Sequence, residues 1–116
     1  MDLAALQARL RTFAEDRNWV QFHSPKNLVM ALAGEAGELL ELFQWLTEEQ
    51  SRQIAHSDPD MQRVREELAD VLIYVLRLAD TLGVDLESAL HDKIALNERK
   101  YPIEVSRGNA IKYSRR

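Results

Sequence analysis

Apolar residues recur along most of this chain at intervals of three and four, the spacing that lines up one face of an α-helix. Leu3, Leu6, Leu10 and Phe13 predict a first helix over about 2–16, with Asp2 as its N-cap. Residues 17–23, "RNWVQFH", form a connector that is unusually aromatic. Ser24 followed by Pro25 supplies a capping hydroxyl and then a proline at the first helical position. A second helix is therefore expected from residue 25 to about 46, with Leu28, Leu32, Leu39, Leu42, Phe43 and Leu46 on its apolar surface. Gly34 and Gly37 lie inside it. Each costs about 1 kcal/mol relative to Ala in a helix interior, so the pair predicts a close neighbour that needs the space.

Residues 47–60 are polar and read as a loop with at most a helical turn. Asp58-Pro59 opens a third helix, carried by Val64, Leu68, Val71, Leu72, Val75, Leu78 and Leu82 and stopped by Gly83. Asp85 caps a fourth, over about 86–99, with Leu86, Leu90 and Ile94. Pro102 ends it, and the tail from Ile103 shows no clear period. The expected fold is all-α: a bundle of four main helices forming one domain over 1–102, with a C-terminal tail at 103–116. The second and third helices are apolar on more than one side, which in so short a chain points to assembly through helix–helix interfaces.

Composition narrows the class. The net charge of −4 argues against a general nucleic-acid binder. With no cysteine, disulfides, thiol catalysis and Cys-ligated zinc are excluded. No segment approaches the ~18 uninterrupted apolar residues of a membrane span, and the N-terminal stretch carries charges throughout. A soluble, cytoplasmic protein is expected.

The chemistry sits in the acids. Glu35-x-x-Glu38 lies on the second helix and Glu67-x-x-Asp70 on the third, each pair sharing a face. If these helices pack together, four carboxylates can converge, and carboxylates within ~4–6 Å shift each other's pKa unless a cation is present. Oxygen ligands suit magnesium, with manganese as a substitute. ExxE and ExxD are also common on solvated helix faces, but both pairs here adjoin the densest apolar part of their helix. Glu41 and Glu66 are less constrained. A di-iron site is disfavoured because it would use Glu-x-x-His, and His23, His56 and His91 lack that spacing.

The words "RNWVQFHSPKNLVMALAGEAGELLELFQW", "EELADVLIYVLRLAD" and "KIALNERKYP" resemble the MazG-like all-α nucleoside triphosphate pyrophosphatases, and among them the dCTP pyrophosphatase branch. The resemblance runs from about Phe13 to Pro102 and continues weakly to "KYS" at 112–114. The spacer between the acidic pairs, residues 39–66, is long for the family pattern. The resemblance implies a magnesium-dependent hydrolase splitting dCTP, and base-modified dCTP, into dCMP and pyrophosphate in nucleotide pool sanitation. It also implies a homotetramer built as a dimer of dimers. It places the metal ligands on Glu35, Glu38, Glu67 and Asp70, with Glu35 or Glu38 activating the attacking water. Lys93, Asn97 and Lys100, spaced 4 and 3, would meet the phosphates, with Tyr101 bonding or packing beside them; Arg99 ranks lower. Trp19, His23, Trp45 and Tyr74 would build the base pocket, and Asn27 would offer an amide to base or sugar. His56 and His91 are read as surface residues. A related pyrophosphatase with another nucleotide preference and a non-catalytic helical dimerisation module are the alternatives; the second would need no acid quartet.

Overall fold

A computed structural model describes residues 1–110; the "KYS" word at 112–114 lies outside the described residues. The described chain is all-α, with helices α1 (Leu3–Asp16), α2 (Pro25–Glu41), α3 (Glu48–Arg52), α4 (Asp58–Leu82), α5 (Leu86–Lys100) and α6 (Ile103–Ser106). Four of them are long. The chain divides at Gly83 into two compact units, Met1–Gly83 and Val84–Arg116.

In the first unit α2 packs along α4, and α1 lies against α4. Leu28, Val64, Leu76, Ala79 and Ala14 are its buried apolar residues. Polar ties fix α1: Gln7 Nε2 donates to the Leu76 carbonyl at 3.3 Å. Arg11 grips the Asp80 carboxylate in a fork, Nε to Oδ2 at 2.9 Å and Nη2 to Oδ1 at 2.7 Å.

Capping explains where the helices begin. The Asp2 carboxylate accepts from Ala5 N–H at 3.0 Å, the Ser24 hydroxyl from Asn27 N–H at 3.2 Å, and Asp85 from Ser88 N–H at 3.1 Å. Gly83 takes the left-handed conformation at φ 70° and ends α4.

The second helix is shorter than its apolar pattern predicts: α2 stops at Glu41 rather than near Leu46. Beyond it the backbone tightens into i→i+3 bonds, Leu42 N–H to the Leu39 carbonyl and Phe43 N–H to that of Leu40. The chain then has to leave the α2 axis, because Thr47 opens α3 through a capping box with Gln50. The polar loop thus contains a short helix of its own, and the tail contains α6. The close neighbour expected at Gly34 and Gly37 is not supplied by the described chain: a Cβ built on either meets nothing within 4 Å.

The second unit carries α5 and α6. Lys93 and Asn97 are exposed and Lys100 half-buried on α5. The Tyr101 N–H closes the helix on the Asn97 carbonyl at 2.9 Å.

Candidate metal and nucleotide site

The α2–α4 packing has a direct chemical consequence. Glu35 and Glu38 face Glu67 across the helix pair, and one carboxylate oxygen from each of the three lies within 4.8 Å of the other two. Asp70, one turn beyond Glu67, lines the same cleft as Glu35. Among the described residues no cation forms a salt bridge with any of these four acids. Glu35 Oε2 and Glu67 Oε2 are buried and have no hydrogen-bond partner.

Two of these carboxyls, those of Glu35 and Glu67, are shifted towards their neutral form. Burial first, then carboxyl–carboxyl contacts with Glu38 and Glu67, then the charges of Glu38 and Asp70, push the Glu35 carboxyl up to about 7. The Glu67 carboxyl is also raised, by burial foremost, with the Glu35 contact opposing and the charges of Glu38 and Asp70 reinforcing. Buried orphan oxygens on converging hard ligands fit a divalent cation bound through oxygen.

Beside the acids lies a cleft of about 220 Å³. Its polar lining is Glu35 and Asp70 together with His23 and Arg77, and its aromatic lining is Phe13, Trp19 and Tyr74. The aromatic connector reaches it through the way α1 ends. Asn18 adopts a left-handed φ of 55°. Its N–H bonds the Glu15 carbonyl at 3.0 Å, and Trp19 N–H bonds that of Ala14 at 2.9 Å, the pairing of a Schellman close. This turn sets Trp19 edge-on to Phe13, with ring centroids 5.7 Å apart.

Of the residues expected at the base, Trp19, His23 and Tyr74 line this cleft. Asn27 does not: its Nδ2 donates to the Phe22 carbonyl at 3.0 Å and so pins the connector. Trp45 does not either; it lies beyond the end of α2 and is 86% exposed. Lys93, Asn97, Lys100 and Tyr101 belong to the second unit. Arg77 is the charged lining residue that motif and spacing do not single out. It continues the stripe Glu67, Asp70, Tyr74 by one more helical step, and it is the one cation inside "VLIYVLRLA". That charge, out of place in an apolar run, is its signal.

A MazG-like family model matches residues 31–115. The chain belongs to the MazG-like family. The dCTP pyrophosphatase 1 of Bos taurus is 48% identical over 102 residues, and that of Homo sapiens 45% identical over 102 residues. In both cases the match covers 88% of this chain and 60% of the relative, so the chain spans about 60% of the length of the curated relatives it matches. A pyrophosphatase from Archaeoglobus fulgidus of known crystal structure superposes with a TM-score of 0.81 at 38% identity, over 88% of this chain and 94% of that one. The acidic pairs of this MazG-like chain both lie within the residues that the family model matches. Among the described residues no helix is long and apolar enough to cross a membrane.

Proposed function

We propose that this chain is a metal-dependent nucleoside triphosphate pyrophosphohydrolase, splitting dCTP and base-modified dCTP into dCMP and pyrophosphate for pool sanitation in the cytoplasm. The observation that carries this reading is the convergence of Glu35, Glu38 and Glu67, with buried unpaired oxygens, beside an aromatic cleft. The names of the mammalian relatives supply the substrate.

Glu35, Glu38, Glu67 and Asp70 would hold the ion, magnesium or in its place manganese. When bound, it supplies charge neutralisation and Lewis acidity at the phosphate oxygens. Glu35 or Glu38 takes a proton from the attacking water, whose oxygen bonds to the α-phosphorus as the bond to the pyrophosphate oxygen breaks. Lys93, Asn97 and Lys100, with Tyr101, are assigned to the phosphates on the strength of their spacing and the family resemblance. Trp19, His23 and Tyr74 take the base. Asn27 acts by holding the connector, and Trp45 stands exposed beyond the end of α2. The assembly is a homo-oligomer, a tetramer as a dimer of dimers; exposed apolar side chains on α2 and α4 support it.

A panel of deoxynucleoside and nucleoside triphosphates with magnesium, read by pyrophosphate release, tests the proposal. Release from dCTP above the others is expected. No release from any triphosphate overturns the enzyme reading, whereas preference for dUTP or a purine overturns only the base assignment.

A further inference from the structure

Arg77 is 6% exposed, in the middle of the apolar stretch of α4. Its Nη1 donates to Asp80 Oδ2 at 3.2 Å, and its Nη2 stands 3.5 Å from His23 Nδ1. Its Nε is buried with no partner. Asp80 does not need this partner, since Arg11 already grips both of its oxygens. Burying a guanidinium costs more in desolvation than the pairing commonly returns, and an apolar residue at such a place is often neutral or stabilising. The contact that distinguishes Arg77 from an apolar substitute is the one with His23, whose ring lines the cleft.

The direction of that contact is fixed by chemistry. A guanidinium has only donors, so Nδ1 of His23 must accept and the ring proton must sit on Nε2. Burial, and then the Arg77 charge, lower the His23 pKa, so the ring keeps a single proton at neutral pH. The backbone that carries the ring is tied down: His23 N–H bonds the Val20 carbonyl at 3.1 Å, and Asn27 pins the neighbouring Phe22 carbonyl.

Position along the cleft is set by α4. Asp70, Tyr74 and Arg77 lie on one helix face, and the seven steps from Asp70 to Arg77 rise about 10 Å along the axis. Along α4, Asp70 thus stands at one end of this stretch and Arg77, with His23 beside it, at the other, with Tyr74 between them. A phosphate chain directed to the acids leaves the base at the His23 end. The cleft is small: at about 220 Å³ it lies below the usual ligand-pocket range of ~300–1,000 Å³, which favours a single-ring base.

We propose that Arg77 is a positioning residue for base selection: by donating to His23 Nδ1 it holds the Nε2–H as a hydrogen-bond donor toward the N3 acceptor of a cytosine. The ring nitrogen N3 of cytosine is an acceptor, whereas uracil and thymine carry N3–H and would set donor against donor. Such a mismatch leaves buried polar groups unpaired, the situation that discriminates most strongly between near-isosteric ligands. This inference rests on the pyrophosphohydrolase reading for its substrate, but the Arg77–His23 contact can be measured without turnover.

The test compares wild type, Arg77→Met, Arg77→Lys, His23→Ala and the double variant Arg77→Met/His23→Ala, all checked for helicity. Histidine ¹⁵N spectra of the substrate-free protein should show His23 as the Nε2-protonated tautomer in wild type and a tautomer mixture in Arg77→Met. With dCTP, Arg77→Met should raise KM about tenfold, the loss of roughly one hydrogen bond, while kcat changes less than about threefold. The dCTP-over-dUTP ratio of kcat/KM should fall with it, and the double variant should be no worse than His23→Ala alone. Arg77→Lys keeps the charge without the fork, and should behave like Arg77→Met; it serves as the readout if Arg77→Met fails to fold. An unchanged tautomer, KM and base ratio in an active enzyme overturn the inference alone. If wild type releases no pyrophosphate from any triphosphate, the functional reading and the base-selecting role fall together, and the spectra still decide the contact.

Discussion

Glu35 is the residue at which folding and function pull in opposite directions. Its carboxyl is pushed up to about 7 by burial and by the neighbouring acids. A group whose folded pKa is raised contributes stability below its unfolded pKa and loses it as pH rises through the folded value. The metal-free protein should therefore lose melting temperature between about pH 4.5 and pH 8, and Glu35→Gln should flatten that loss. Thermal melts in chelator at pH 5 and pH 8 check this; equal slopes for both proteins would refute the buried-charge account. Magnesium should raise the melting temperature of wild type more at pH 8 than at pH 5, since the ion competes with protons for the same oxygens. The same Glu35→Gln change, or Asp70→Asn, should cut pyrophosphate release by at least ~10²-fold with far-UV dichroism intact. Full turnover from either variant would remove these acids from the site.

The elements owe their ends to single residues, and some of those are easier to read than others. Asn18 ends α1 in the left-handed region. Asn18→Ala should destabilise by about 1 kcal/mol, whereas Asn18→Gly should not; a urea titration distinguishes them. Asp80 is held below the usual carboxylate range, first by its hydrogen bond from Arg11, against the opposing effect of burial. A lowered pKa gives stability that is present above the unfolded value near 4 and lost as pH falls through the folded one. Asp80→Asn should accordingly weaken the acid dependence of the melt below pH 4, and an unaltered acid limb would count against the Arg11 tie. The caps at Asp2, Ser24 and Asp85, the stop at Gly83 and the two acidic pairs are legible in the sequence because each is a local pattern in one helix. The end of α2 is not, because the apolar run through Leu46 continues the helical period while the capping box at Thr47 redirects the chain. The turn after Glu41 leaves Trp45 beyond the helix and 86% exposed. Arg77 is hidden for the opposite reason: its partner His23 is 54 residues away, and no local spacing records a contact of that range.

At the scale of the whole molecule, apolar surface is left over. On α2, Met30 is 62% and Leu40 59% exposed, and on α4 Leu68 is 52% exposed, all beside the helices that carry the acids. The first unit buries few apolar side chains by comparison. Exposed apolar faces of this kind mark protein–protein contact surfaces, and stable interfaces bury roughly 1,200–2,000 Å² in total. Gly34 and Gly37 add open backbone on α2, where the described chain places nothing against them. A partner helix would meet the same need that the apolar side chains express. Sedimentation velocity at micromolar concentration should therefore give an oligomer, and Leu40→Glu combined with Leu68→Glu should shift it to smaller species. Because the acids sit on the same two helices, the dissociated variant should also lose magnesium-induced stabilisation if assembly braces the α2–α4 pair. A wild type that sediments as a monomer would show instead that these side chains stay in water, and that the α2–α4 pair holds its acids together unaided.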